Sequence, residues 1–119
     1  MKILIVDDNL SLAQILKMIL EEERHEVRLA QDGMDGYMTY LLFLPDLVIT
    51  DIQMPGKNGL ELMELIRNHN PNAKAIYISA DLDQFRPLLE KEMATHPVIC
   101  LPKPFSRGEL MQLLSQVSN

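Results

Sequence analysis

Residues 3–8 of this chain read ILIVDD, a continuous apolar run that stops at two aspartates. An unbroken aliphatic run of this kind is typical of a strand that is covered on both faces, as in a parallel sheet between layers of helices. Three similar runs follow at residues 47–49, 75–78 and 98–101. We therefore predict a parallel sheet that includes all four runs.

Residues 26–30 (EVRLA) alternate between polar and apolar, which predicts an edge strand with one face in water. The stretches between strands repeat apolar residues at i, i+3, i+4 and i+7, the spacing of one helix face. In the second helix this pattern consists of Met34, Tyr37, Met38, Leu41 and Leu42, and in the fourth of Phe85, Leu88, Leu89 and Met93. Five strand–helix repeats predict a single α/β domain over residues 1–119.

Polar residues at the predicted helix ends agree with these boundaries. Asn9 or Ser11 can cap the first helix, and Asp32 can cap the second. Pro45 and Pro71 are predicted to end the second and third helices, because proline disfavours helix at the residue before it.

The composition excludes several classes of function. The 119 residues include 17 acidic and 11 basic side chains, a formal net charge of -6, so we expect no direct binding to nucleic acid or to an anionic membrane. The single cysteine, Cys100, excludes an internal disulfide and a multi-thiolate metal site. Residues 3–6 are too short for a signal-peptide core, and no stretch approaches the ~20 apolar residues of a membrane span. We therefore expect a cytoplasmic location.

Polar side chains follow four of the five predicted strands. Asp7 and Asp8 come after the first run, and Asp51, Ser79 and Lys103 come at the ends of the third, fourth and fifth runs. Each residue alone has an ordinary explanation, such as a helix cap, a turn or a solvated surface charge. Ligands of open α/β sheets bind outside the carboxyl ends of the strands, however, so the conjunction predicts one functional site.

The residue types indicate phosphoryl chemistry. Three carboxylates beside one ammonium leave net negative charge, which favours binding of a cation, and oxygen ligands suit Mg²⁺. Lys103 and Ser79 can contact the oxygens of a phosphoryl group, and Asp51, as the central carboxylate, can attack phosphorus in line.

In these residues the chain resembles the receiver domain of two-component response regulators over its whole length. The resemblance rests on residues 3–9, 51–56, 58–59, 79–80 and 101–105. It implies a flavodoxin-like (βα)5 fold, a doubly wound five-stranded parallel sheet of order 2-1-3-4-5.

The resemblance also implies a function. Asp51 would accept a phosphoryl group from the phosphohistidine of a sensor histidine kinase or a phosphotransfer protein. Asp8 would bind Mg²⁺ directly, Asp7 would bind it mostly through water, and Asp51 and the backbone carbonyl of Gln53 would complete the ligands. The protein would be a regulatory phosphoacceptor that catalyses only its own phosphorylation and dephosphorylation.

Further roles follow from the same resemblance. Lys103 would pair with Asp51 before phosphorylation and with the phosphoryl group afterwards, while Ser79 would turn toward the phosphoryl oxygens. The peptide bond between Lys103 and the following proline is expected to be cis. Gln53 and Asp81, two residues after Asp51 and Ser79, would tune the lifetime of the acyl phosphate.

The output side departs from the family pattern at Cys100. In the family, phosphorylation switches the surface of the fourth helix, fifth strand and fifth helix to control an output domain or partner, and this surface is also a candidate for dimerisation. Many receivers carry Tyr or Phe at the position of Cys100, where the ring moves with the Thr or Ser. We expect Cys100 to be a buried apolar thiol and not a redox sensor.

Three classes of function stay open at this point. The first is a phosphorylated switch, including a phosphorelay intermediate or a stand-alone receiver that acts only through protein–protein contacts. The second is a small phosphatase with an aspartate nucleophile; such enzymes usually carry a second acid where this chain has Gln53. The third, a binding module that does not respond to phosphate, is disfavoured because the acid–hydroxyl–lysine set is complete.

Overall fold

The strands form one parallel sheet in the computed structural model, which describes residues 1–96 and 98–118. In chain order they are β1 (Lys2–Val6), β2 (Glu26–Ala30), β3 (Leu47–Asp51), β4 (Ala75–Ser79) and β5 (Val98–Pro102). The spatial order β2-β1-β3-β4-β5 confirms the predicted topology and the edge position of β2. In the register, Asp51 lies beside Ile78, and Ser79 lies beside Pro102, so the carboxyl ends of β3, β4 and β5 are adjacent.

Helices follow the strands throughout the described residues. They are α1 (Leu10–Glu22), α2 (Gly33–Phe43), α3 (Gly59–His69), α4 (Arg86–Met93) and α5 (Arg107–Ser118), with a 3-10 turn, Leu82–Phe85, directly before α4. The predicted caps are confirmed: Asn9 Oδ1 accepts a hydrogen bond from Leu12 N, and Asp32 Oδ1 accepts one from Asp35 N. None of these helices has the length and apolar character needed to cross a bilayer.

The sheet separates two apolar clusters, which explains why the strand at residues 3–6 is apolar throughout. Ile3 and Ile5 pack with α1 and α5 on one face. Leu4 and Val6 pack with α2, α3 and α4 on the other. Since successive side chains of a strand point to opposite faces, every position of β1 between these layers is buried.

The predicted core face of α2 is wrong in part: Tyr37 packs against the core, but most of the other apolar residues do not. Met34, Met38 and Leu42 point outward, with Leu42 87% exposed, while Gly36 and Tyr40 lie on the buried face. A Cβ added at Gly36 would lie 3.0 Å from Val6 Cγ2, so the helix backbone itself approaches the sheet. A hydrophobic pattern detects large side chains and cannot detect contact made through a glycine, which explains the error.

The predicted core face of the fourth helix is also wrong in part. Leu89 is buried, but Leu88 and Met93 are about half exposed. Phe85 belongs to the 3-10 turn and not to α4. Phe85 still packs against the core, so the error lies within α4, where the side facing the sheet carries Leu89 and the polar residue Glu92, which contacts Tyr77 on β4. A pattern of apolar residues cannot detect a polar side chain on the buried face.

Candidate functional site

Three carboxylates meet at the carboxyl end of the sheet. Asp7 and Asp8 follow β1, and Asp51 ends β3. One oxygen atom from each lies within 4.8 Å of the other two, with Asp7 and Asp51 buried and Asp8 exposed. This set of oxygen donors, open to solvent on the side of Asp8, is one that suits Mg²⁺.

Lys103, directly after β5, contacts two of these three carboxylates. Lys103 Nζ donates to Asp51 Oδ2 at 3.2 Å and to Asp7 Oδ2 at 3.4 Å. The following peptide bond, Lys103–Pro104, is cis, as expected. Lys103 N also donates to Ser79 O at 2.9 Å, which fixes the backbone of Lys103 to the end of β4. One ammonium thus faces two buried carboxylates, and the charge left over is negative.

This imbalance affects the ionisation of Asp51. Burial raises the pKa of the Asp51 carboxyl, and the negative charges of Asp7 and Asp8 add to the rise. The positive charge of Lys103 and its hydrogen bond oppose it without cancelling it. The charged form of Asp51 is therefore disfavoured by its surroundings, and a cation bound nearby would relieve this cost.

The backbone of Asp51 is held by a close approach of α3. A Cβ added at Gly59 would lie 2.3 Å from Asp51 O, so only glycine permits this contact. Gly59 N donates to Ile52 O at 2.9 Å, and Thr50 Oγ1 donates to Asp51 O at 2.9 Å. The sequence motifs predict no role for Gly59 or Thr50, although residues 58–59 are part of the family resemblance.

Ser79 lies on the next strand and is fully buried. Its Oγ accepts a hydrogen bond from Asp81 N at 3.0 Å. This bond uses a lone pair of the hydroxyl and leaves its proton free to donate to another group.

The two residues assigned to lifetime tuning share a partner that sequence reasoning missed. Gln53 Nε2 donates to Gln84 Oε1 at 3.2 Å, and Gln84 N donates to Asp81 Oδ1 at 3.3 Å. Gln84 therefore joins the loop after β3 to the turn after β4. Asp81 was the sequence signal that could have pointed to Gln84. The side chain of an N-terminal cap accepts a hydrogen bond from the backbone of the residue three positions later, which here is Gln84.

Cys100 lies opposite Tyr77 in the register of β4 and β5. Its side chain packs against the cluster formed with α2, α3 and α4, but it is only partly buried, less than the expected buried position. Burial raises the pKa of the Cys100 thiol, which keeps it protonated and weakly nucleophilic at neutral pH.

The family described as the response regulator receiver domain matches residues 3–115. The chain belongs to this family. Receiver domains are regulatory units of phosphorylation-based, two-component signalling, and the expected family is thereby confirmed.

Known relatives of this receiver domain differ in how much of their length it matches. It is 32% identical to the chemotaxis protein CheY of Treponema pallidum, over 98% of this chain and 81% of that protein. It is 30% identical to the transcriptional regulatory protein DltR of Streptococcus agalactiae, over 93% of this chain and 49% of that protein. The receiver domain thus spans about half the length of DltR, and about half the length of the regulators ArlR, MtrA and the CpxR homolog.

One solved structure that is similar in sequence and fold is a complex with a ligand. The response regulator protein TrrA from Thermotoga maritima, in complex with Mg²⁺ and BeF, matches this receiver domain with a TM-score of 0.80 and 31% identity. The match covers 98% of this chain and 97% of that chain.

Proposed function

We propose that this receiver domain, as one unit over residues 1–119, accepts a phosphoryl group on Asp51 and thereby switches an output surface. The observation that carries the proposal is the 3.2 Å contact between Lys103 Nζ and Asp51 Oδ2, made beside Asp7 and Asp8. It places a fixed positive charge at the carboxylate that would be modified. The phosphodonor would be the phosphohistidine of a sensor histidine kinase or of a phosphotransfer protein.

In the reaction, an Asp51 carboxylate oxygen forms a bond to phosphorus as the bond from phosphorus to the donor's imidazole nitrogen breaks. The electron pair of the broken bond stays on that nitrogen, which takes a proton from solvent. Asp51 becomes an acyl phosphate. Lys103 then pairs with a phosphoryl oxygen, and Ser79 donates its hydroxyl proton to another.

Asp7, Asp8 and Asp51 would hold Mg²⁺, with the backbone carbonyl of Gln53 as a further ligand. The proximity of the three carboxylates supports this assignment, as does the negative charge that Lys103 leaves uncompensated. When bound, Mg²⁺ supplies positive charge at the oxygens of the transferring phosphoryl group. The relative TrrA, in complex with Mg²⁺ and BeF, supports the same choice of metal.

The switch follows from the change in charge at Asp51. An acyl phosphate carries about -1.5 to -2 at neutral pH and three strong acceptor oxygens. Lys103 and Ser79 are drawn to these oxygens, which moves the loops after β5 and β4. The surface of α4, β5 and α5 would change with them and control an output domain or a separate partner. Gln53 and Asp81, joined through Gln84, would tune how long the acyl phosphate lasts.

Intact-mass measurement after incubation with acetyl phosphate and Mg²⁺ tests this function. We expect the wild-type protein to gain one phosphoryl group, labile to base, and Asp51→Asn to gain none. Acetyl phosphate is a suitable donor because its acetate leaves with the electron pair, as the imidazole does. Equal labelling of Asp51→Asn would contradict the assignment of Asp51. Repeated release of phosphate from phosphate esters without stoichiometric labelling would indicate a phosphatase instead.

A further inference from the structure

Helix α4 is held by few apolar contacts. Among its eight residues, only Leu89 is buried, while Leu88 and Met93 are about half exposed. Its first turn contains a proline and has no side-chain cap. The hydrophobic contribution to its position therefore comes mainly from one side chain, and other contacts must fix its orientation.

A buried polar cluster supplies such a contact at the C-terminal end of α4. The Tyr77 hydroxyl on β4 donates to the Glu92 carboxylate, with Oη 2.7 Å from Oε1 and 2.8 Å from Oε2. Arg67 Nη1, on α3, forms an ion pair with Glu92 Oε1. The Arg67 and Glu92 side chains are 6% and 16% exposed, and Tyr77 is fully buried. Three elements, α3, β4 and α4, thus meet at one carboxylate.

Arg67 is the fixed part of this cluster. Its Nε and Nη2 atoms donate to Ala73 O at 3.3 Å and 3.1 Å, which ties it to the segment before β4. Burial also raises the pKa of Tyr77, so its hydroxyl stays protonated and remains a donor at neutral pH. Since Arg67 is bound independently of α4, Glu92 is the member that can leave, together with the helix that carries it.

Residues 79–92 lead from the proposed phosphorylation site to Glu92, and both ends of this segment are attached to β4. At its start, Ser79 Oγ on β4 accepts from Asp81 N, and the 3-10 turn and α4 follow without a break. At its end, Glu92 returns to Tyr77, two residues before Ser79 and on the same face of β4. Movement of Ser79 toward a modified Asp51 therefore acts on one end of a segment whose other end is held at Tyr77.

We propose that Tyr77 and Glu92, supported by Arg67, form a latch that holds α4 in its unphosphorylated position and opens when Asp51 is phosphorylated. The inference rests on the proposed function, and it makes Glu92 a positioning residue and not a catalytic one. It also fits the sequence of β5, because the side chain that pairs with Tyr77 in the register is Cys100, which has no ring. In this receiver the aromatic residue of the pair is Tyr77 on β4, and its hydroxyl is hydrogen-bonded to Glu92 on α4.

Linkage gives the latch a measurable consequence. Opening the latch separates Glu92 from two donors, so the latch favours the unphosphorylated arrangement. A variant with a weaker latch converts at lower cost, and by reciprocity it must bind a phosphoryl mimic more tightly. Beryllofluoride with Mg²⁺ is the mimic that we would use.

Two variants weaken the latch in different ways, and a third variant serves as a control. Glu92→Gln removes the charge but keeps the shape of the side chain, and Tyr77→Phe removes only the hydroxyl, so it still reports if Glu92→Gln does not fold. Glu90→Gln makes the same change of charge at an exposed position of α4. Titration calorimetry would give the dissociation constant for beryllofluoride at saturating Mg²⁺. Hydrogen exchange without ligand would report on residues 82–96.

We expect Glu92→Gln and Tyr77→Phe to bind beryllofluoride about fivefold more tightly or better, with Glu90→Gln unchanged. Exchange in residues 82–96 should be faster in both latch variants and unchanged in β1 and β3. If wild type binds beryllofluoride and both latch variants bind it equally well or more weakly, the cluster is only structural and the latch is wrong. If wild type does not bind beryllofluoride at all, the proposed function fails, and the latch falls with it.

Discussion

The backbone of Gly59 passes so close to Asp51 that a Cβ at Gly59 would lie 2.3 Å from the Asp51 carbonyl oxygen. The start of α3 is therefore packed directly onto the residue that we propose as phosphoacceptor. Gly59 N also donates to Ile52 O at 2.9 Å, which ties the start of α3 to the residue after Asp51.

Replacing Gly59 with alanine should move Asp51 and destabilise the protein. We expect a loss of about 1–3 kcal/mol in the free energy of unfolding, the usual cost of overpacking, and slower labelling by acetyl phosphate. Gly108→Ala is the control, because the nearest atom to its added Cβ would be Ser106 Oγ at 3.8 Å, and alanine favours helix there. Urea unfolding of both variants would check this, and a Gly59→Ala variant as stable as Gly108→Ala would contradict the close packing.

The outward position of the α2 apolar residues can be tested with two neighbouring residues. Phe43 is buried, with Lys2 and Arg28 side chains against its ring, whereas Leu42 is exposed. We expect Phe43→Ala to cost about 3 kcal/mol and Leu42→Ala to change stability by less than about 0.5 kcal/mol. Denaturant unfolding would measure both, and similar costs would restore the face predicted from the sequence.

The pH dependence of stability should reveal the unfavourable charge of Asp51. Its pKa is raised in the folded protein, so its ionised form reduces stability once the pH rises through that value. Asp51→Asn carries no such charge. In the absence of divalent ions, we expect Asp51→Asn to match wild type in acid and to become more stable by about 0.5–2 kcal/mol above the raised pKa.

Unfolding curves measured from acid to neutral pH with a chelator would show this difference. A wild-type protein that gained stability over Asp51→Asn as the pH rose would mean that the contact with Lys103 outweighs burial and the neighbouring carboxylates.

Lys103 should be needed for phosphorylation because it is the ammonium in contact with Asp51. We expect Lys103→Met to slow labelling by acetyl phosphate by about 100-fold, the typical cost of removing one group that stabilises developing charge. Lys91→Met removes an exposed lysine from α4 and should leave the rate unchanged. Time courses by intact mass would decide, and equal rates for the two variants would exclude a role for Lys103 in the reaction.

Mg²⁺ should stabilise the folded protein through the three carboxylates. At ten times its dissociation constant, the ion should add about 1.4 kcal/mol to the free energy of unfolding. Asp8→Asn should weaken this effect, whereas Glu64→Gln, which removes an exposed carboxylate from α3, should retain it. Thermal unfolding across a Mg²⁺ titration would test this, and an equal response of both variants would place the ion elsewhere.

Much of this arrangement could be predicted because it follows from strand direction. Parallel strands bring their carboxyl ends to one edge, so Asp7, Asp51 and Lys103 could be placed together from their positions after apolar runs. The caps Asn9 and Asp32 could be predicted for a similarly local reason, since a cap contacts the backbone three residues later.

Other features depend on contacts that no local pattern records. Gly36 lets the α2 backbone lie against Val6, and a pattern of large apolar side chains misses that face. The contact of Tyr77 with Glu92 joins β4 to α4, and each residue alone is unremarkable in its own segment. Such pairs become visible only when the relative positions of the elements are known.

The separation of the site residues along the chain has a consequence for folding. Lys103 lies 52 positions from Asp51 and 96 positions from Asp7, and these residues meet only when β1, β3 and β5 occupy the same sheet. A nascent or proteolysed chain that lacks β5 has no ammonium beside the acceptor carboxylate. If Asp51 is the phosphoacceptor, as proposed, the contact with Lys103 that supports its modification can form only after β5 has joined the sheet.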